Sequence, residues 1–309
     1  MSIYFKNIVG HQKQLKMLEE DLSQGRLAHA YLLAGPADIG KFTLAKALAK
    51  AIQTLDMDED KAFQTAALMD RGVHGDTLIF AKNPEEDSIK IAEIRSIINK
   101  LQLSADSNRR ILVMEDIDRM TPESANALLK VLEEPPGDVL YIFTSSQPHS
   151  LLETILSRVR KIDFNIMTEE ELFSSMKNRY RLADETVLKK VAKISFGRIG
   201  KAIKLMENLE QLDAYQDVYD QIKSFLAAQD IHAGFSFIGQ IYNDPVLTNI
   251  FLELAFVALR EEMYDALNKG DRSRLEITLE RIGKLVKIKA LSETNINNRL
   301  LLENFILEL

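Results

Sequence analysis

A chain of 309 residues, 46% hydrophobic and 28% charged, is long enough for two or three globular domains, each with its own apolar centre. Cysteine is absent, which removes disulfides, thiolate zinc sites and cysteine nucleophiles together, and the five histidines are scattered, so no metal site is expected. A net charge of -7 argues against a general nucleic-acid coat, no run of about 18 apolar residues is present to span a membrane, and "MSIYFKNIVGHQKQ" carries no export pattern, so a cytoplasmic protein is expected.

Short apolar runs alternate with helical patterns in the first half, whereas the second half has helical patterns only. The segment "QKQLKMLEEDLSQG" puts Leu15, Leu18 and Leu22 on one helix face, with Gly25 as its stop. "AYLLAG", Ala30 to Gly35, reads as a short buried strand. It leads through "GPADIGKFT" into a helix with Phe42, Ala45, Leu48, Ala49 and Ile52 on one side. Further strands are expected at 77–80 ("TLIF"), 110–114 ("RILVM") and 139–145 ("VLYIFTS"), with a shorter edge strand at 160–164 ("RKIDF"). Short, nearly continuous apolar strands separated by helices indicate a parallel sheet covered on both faces. Residues 1–164 are therefore read as one α/β domain. "TEEELFSSMKNR" then opens with a capping box, Thr168 to Glu171. "ETVLKKVAKIS" and "IGKAIKLMENL", joined by the turn "SFGRIG", complete a small helical domain, 165–208. Residues 209–309 read as all-helical, with breaks at Asn243-Asp244-Pro245 and Lys269-Gly270-Asp271.

Gly35, Gly40 and Lys41 fit the phosphate-binding pattern G-x-x-x-x-G-K-[ST] between a strand and a helix. In that pattern backbone N–H groups curl around phosphate oxygens, the lysine reaches the terminal phosphates and the hydroxyl binds Mg²⁺. Phe42 stands where the hydroxyl belongs, and a phenyl ring cannot ligate a hard cation. Thr43 is one position late, about 100° further round the helix. The loop is thus either a strand-to-helix turn with weak nucleotide binding at most, or a site in which Thr43 compensates. A P-loop enzyme also needs an acidic pair after an apolar strand. Here Glu115-Asp116 follows 110–114 in the order opposite to the usual Asp-Glu. Each carboxylate is then off by one methylene, and a misplacement of about 1 Å can cost about 100-fold.

The run "TPESANALLKVLEEPPGDVLYIFTSSQPHSLLETILSRVRKIDF" (121–164) resembles the AAA+ core of clamp-loader subunits, in which "NALLKxLEEPP" and a following "SRC" segment recur. "LAHAYLLAGP" (27–36), "SIKIAEIRSI" (88–97) and "DRMT" (118–121) match the same family in the same order. The resemblance covers about 1–210, and 211–309 only by length and helicity. It implies an AAA+ P-loop NTPase-type parallel sheet, a helical lid and an all-α C-terminal collar. The family contains gamma/tau motor subunits, which hydrolyse ATP, and a delta-prime type that generally does not. Phe42 and the reversed Glu115-Asp116 side with the second type. So does Gly200, which stands where the lid pattern G-S-x-R-x-A, counted from Gly197, has its arginine; alone, it reads equally as a helix-start glycine.

The Ser157-Arg158 pair matches the first two letters of "SRC", with Val159 in place of the cysteine. The resemblance implies that Arg158 enters a neighbouring subunit's ATP site as an arginine finger, worth roughly three to five orders of magnitude in rate. Without the family match, the same arginine reads as a surface salt-bridge residue. The implied partners are gamma/tau motor subunits, a delta subunit, the sliding clamp and, through the complex, primer–template DNA without sequence reading; no tightly bound cofactor is implied, ATP or ADP binding weakly if at all. Relatives commonly carry a four-cysteine zinc module before the second strand. Residues 54–75 lack cysteine, so zinc is excluded and the module is lost or replaced by a short helix such as "DKAFQTAALMDRG". Lys90, Arg95, Lys100, Arg109 and Arg110 form either a solvated charged face or a phosphate track. Two rival readings are an active gamma/tau-type motor and an AAA+ adaptor in helicase loading or recombination.

Overall fold

A computed structural model of the chain describes residues 3–83, 85–102, 109–228, 231–292 and 298–307. Two compact units are present: Met1–Glu171 with Gly197–Lys201, and Leu172–Phe196 with Ala202–Leu309. In the first, α1 (Gln12–Ser23) precedes β1 (Ala30–Ala34), α2 (Lys41–Gln53), α3 (Glu59–Asp70) and β2 (Thr77–Phe80). Then follow α4 (Ile91–Leu101), β3 (Arg110–Met114), α5 (Pro122–Glu133), β4 (Val139–Ser145), α6 (Glu153–Leu156) and β5 (Arg160–Asp163). The strands form one sheet in the order β2-β3-β4-β1-β5, and every pairing is parallel. This is the AAA+ P-loop architecture, with β5 on the expected edge.

Side chains alternate along each strand, so a fully apolar strand supplies two cores at once. Tyr31 and Leu33 of β1, Ile111 and Val113 of β3, and Leu140 and Ile142 of β4 face the layer of α1 and α2, packing with Leu15, Leu18, Leu44 and Leu48. Ala30, Leu32, Leu112, Met114, Tyr141 and Phe143 point the other way, onto Ile94, Ile97 and Leu101 of α4 and Leu128 and Leu132 of α5. Each fully buried aliphatic side chain contributes about 1.5–3 kcal/mol. The sheet is therefore held equally from both sides.

Between α2 and β2, where two outcomes were open, the chain forms α3. Its N-cap, Asp58, accepts the Lys61 backbone N–H at 2.9 Å. Met69 is its buried anchor to the core, while Phe63 on the same helix is 76% exposed.

The second unit holds most of α7 (Glu169–Arg179) and of α9 (Ile199–Glu207), with α8 (Glu185–Ile194) between them, then α10 (Leu209–Ala228), α11 (Ile231–Ile241), α12 (Pro245–Lys269), α13 (Arg272–Ser292) and α14 (Asn298–Leu307). The helices read as a lid and those read as a collar thus fall in one compact unit, apart from residues at its junction with the first. Glu261 of α12 explains part of this. Its carboxylate accepts from Tyr219 of α10 and pairs with Lys193 of α8, tying the two sets together. The expected breaks are real: Asp244 caps α12 by accepting from Val246 and Leu247 N–H, and Gly270 ends it with φ 69°. No helix among the described residues is long and apolar enough to cross a membrane.

β1 ends where Gly35 turns out of the sheet with φ 152°, a conformation that favours glycine. A Cβ at that position would lie 2.2 Å from the backbone oxygen of Phe164 at the end of β5. Gly35→Ala is expected to destabilise the first unit by about 3 kcal/mol or more, from backbone strain plus that overlap. A urea denaturation midpoint indistinguishable from that of the wild type contradicts this assignment.

Candidate functional site

The carboxyl ends of β1, β3 and β4, adjacent in the sheet, bring the loop 35–41, the pair Glu115-Asp116 and Ser146 together. This end of a parallel α/β sheet is where such folds bind ligands. Lys41 opens α2, and its side chain folds back onto the loop. The ammonium donates to Gly35 O and Pro36 O, each at 2.7 Å, and to Ser146 Oγ at 3.3 Å. Burial pushes its pKa below the ordinary lysine value; Asp116, Asp118, Asp38 and Glu115 oppose that shift. Phe42 is half-buried against the α1–α2 core, and the Lys46 ammonium sits 4.9 Å from its ring centre. Thr43 is exposed. The residue in the hydroxyl position is therefore spent on packing.

Two further groups hold the loop by its carbonyls. His11, in left-handed backbone conformation with φ 56°, places Nε2 3.0 Å from Ile39 O and its ring edge-on to Phe164. Burial lowers the His11 pKa, which favours the neutral ring with Nε2–H as donor. Gly200 donates its N–H to Asp38 O at 2.7 Å. A Cβ at 200 would lie 2.7 Å from that same oxygen, so the backbone of 197–201 rests on the loop at the position where the resemblance expects a lid arginine. Gly40, with φ 90°, N-caps α2.

The acidic pair is tied into the chain as well. Glu115 accepts the Lys82 backbone N–H at 2.9 Å through Oε2. Asp116 adopts φ 47° and donates its N–H to Thr144 Oγ1. Its carboxylate accepts from Ser146 Oγ at 3.2 Å and pairs with Lys82 Nζ at 3.4 Å. Ser146 N–H in turn donates to Asp118 Oδ1 at 3.0 Å. A continuous polar line runs from Lys41 through Ser146 and Asp116 to Lys82. Ser146, Asp118 and Lys82 escape a sequence reading because the roles of Ser146 and Asp118 depend on β4 lying between β1 and β3, and that of Lys82 on β2 lying beside β3. The signal for Ser146 is a polar residue directly after the apolar strand β4.

Ser157 and Arg158 follow α6, away from this line in sequence and paired locally. Arg158 Nη2 meets Glu133 Oε1 at 2.7 Å, and Nη1 donates to Thr154 O at 2.9 Å and Ser157 Oγ at 3.3 Å. The arginine is thus a surface ion-pair residue in this chain, partly open to solvent. Such a pair is worth about 0–1 kcal/mol, so it does not commit the guanidinium strongly.

Among the basic residues, Lys90, Arg95 and Lys100 are exposed. Arg109 pairs with Asp138 at 2.9 Å. Arg110 is a correction to the phosphate-track reading: it is 6% exposed, donates to Leu101 O and lies beside the buried Asp76. It ties the start of β3 to the end of α4 through Leu101 O. The solvated-face alternative describes the others as they stand.

A family model described as DNA polymerase III, delta subunit, matches residues 10–168. The chain is 27% identical over 213 residues to DNA polymerase III subunit gamma of Buchnera aphidicola subsp. Schizaphis graminum, covering 67% of this chain and 59% of that one. It is 28% identical over 202 residues to DNA polymerase III subunit delta' of Bacillus subtilis, covering 63% and 59%. Against the delta' subunit of Pseudomonas aeruginosa it is 37% identical over 138 residues, covering 42% and 41%. The chain therefore spans at most 59% of the length of these three relatives.

Gly200→Ala tests whether 197–201 rests on the loop as described. The added Cβ is expected to break the Gly200–Asp38 hydrogen bond, worth about 1 kcal/mol, and to speed amide exchange in 197–201 about fivefold. Unchanged protection there contradicts the contact.

Proposed function

Because the chain belongs to the DNA polymerase III, delta subunit family, within that polymerase's clamp-loader group, we propose that it acts as a delta-prime-type subunit: a largely non-catalytic AAA+ scaffold that completes a neighbour's ATP site. The observation that carries this reading is Phe42, packed half-buried where a Mg²⁺-binding hydroxyl belongs, with Thr43 turned to solvent. Lys41 supports it. To meet a phosphate, its ammonium has to give up two 2.7 Å bonds to its own loop, and hydrogen bonds to charged groups are worth about 1.5–3 kcal/mol each. Gly200, seated against Asp38, supplies no cation from the lid side.

Arg158 then carries the chain's share of the chemistry. Its planar, permanently charged guanidinium matches the negative charge that spreads over a transferring phosphoryl group, and an arginine supplied from a second subunit is worth roughly 10³–10⁵ in rate. The neighbour, a gamma/tau-type motor, supplies the nucleotide site, the metal and the attacking water. Together with a delta subunit the assembly opens the sliding clamp and closes it on primer–template DNA. The collar role of the last helices is supported by apolar side chains left exposed on them, among them Tyr264, Leu267, Ile277, Val286 and Leu300. A cytoplasmic location follows from this role.

The reading predicts an asymmetry in a complex reconstituted with the motor and delta subunits. Arg158→Ala is expected to lower steady-state ATP hydrolysis by about a thousandfold at the site it completes, whereas Lys41→Ala leaves the rate within about twofold, a change below roughly 0.4 kcal/mol. Hydrolysis by the isolated chain that is abolished by Lys41→Ala is the result that establishes the motor reading instead.

A further inference from the structure

Arg158 is gripped from two sides. Thr154 and Ser157 belong to its own turn, and Ser157 Oγ donates to Thr154 O at 3.0 Å, so this brace is local. Glu133 is different: it is the last residue of α5, twenty-five positions earlier in the chain than Arg158 (158 minus 133), and it takes Nη2 at 2.7 Å. Its own backbone is fixed, because α5 stops at Glu134 and Pro135-Pro136 follow. A guanidinium has five N–H donors. Among the described residues Glu133, Thr154 and Ser157 engage one Nη2 and both Nη1 donors, which leaves Nε–H and one Nη2–H for phosphoryl oxygens.

Glu133 and Arg158 are 43% and 37% exposed, and an ion pair so open to water contributes little to folding. From this geometry we propose that Glu133 is a positioning residue for Arg158: it holds one edge of the guanidinium so that the remaining two donors are already oriented toward the neighbouring subunit's phosphoryl group. The proposal rests on the reading that Arg158 acts in trans. A long side chain fixed before the two subunits meet does not lose its rotamer freedom at the transition state. The gain then falls on kcat, while ATP affinity, which the neighbour's own loop provides, stays unchanged.

The test uses the full chain in the reconstituted complex, comparing wild type, Arg158→Ala, Glu133→Gln, Glu133→Asp and the double variant Glu133→Gln/Arg158→Ala. Glu133→Gln keeps the shape and removes the charge. It is expected to lower kcat about fivefold, equivalent to about 1 kcal/mol at 1.36 kcal/mol per factor of ten, with the KM for ATP unchanged. Glu133→Asp is expected to recover most of that loss, and the double variant to be no slower than Arg158→Ala alone. An unchanged or increased kcat in Glu133→Gln overturns the proposal, as does an equal further loss in the Arg158→Ala background. So does failure of Glu133→Gln to enter the complex, which marks a contact residue rather than a positioning one. If Arg158→Ala itself leaves hydrolysis intact, the in-trans reading falls first and the proposal with it.

Discussion

Four carbonyls of one loop, those of Gly35, Pro36, Asp38 and Ile39, are held by groups of the same chain. Lys41 takes the first two, Gly200 the third and His11 the fourth, so elements from the beginning, the middle and the lid side of the chain all converge on the turn after β1. A loop whose carbonyls are held this way has its shape supported by its own chain. The requirement for glycine follows from the same closeness: Gly35 passes under Phe164 O, and Gly200 lies against Asp38 O with no room for a side chain.

The polar line from Lys41 through Ser146 and Asp116 to Lys82 extends that internal settlement to the acidic pair. The Asp116 carboxylate is paired with Lys82 Nζ, and Glu115 accepts the Lys82 backbone N–H. With Phe42 packed half-buried against the α1–α2 core, these contacts tie the loop and the acidic pair into the first unit. The proposed chemistry moves outward to Arg158, whose exposed pairing with Glu133 is weak enough to admit a second anion, while Thr154 and Ser157 brace the guanidinium from its own turn.

The fold is legible in the sequence to within a residue or so at most strands, because five short apolar runs separated by helical patterns have few arrangements other than a parallel sheet covered on both faces. Phe42, Gly200 and the inverted order of Glu115 and Asp116 are legible as departures from a pattern. What holds them is not. Ser146 acts through the neighbour relations of β1, β4 and β3 and Lys82 through that of β2 and β3, and no local periodicity encodes strand order. Arg110 shows the opposite failure: a basic residue beside a basic helix reads as surface charge, yet it is buried against Leu101 O and Asp76. The glycine at 200 reads as a helix start until the approach of Asp38 gives it a steric reason.

The central claim is that the loop 35–41 is a structural turn rather than a working nucleotide site. Calorimetric titration of the isolated full chain with ATP in the presence of Mg²⁺ tests it most directly. The account predicts binding no tighter than about 1 mM, a free energy of about -4 kcal/mol, and no strengthening by the metal. Micromolar, Mg²⁺-dependent binding that disappears in Lys41→Ala contradicts it.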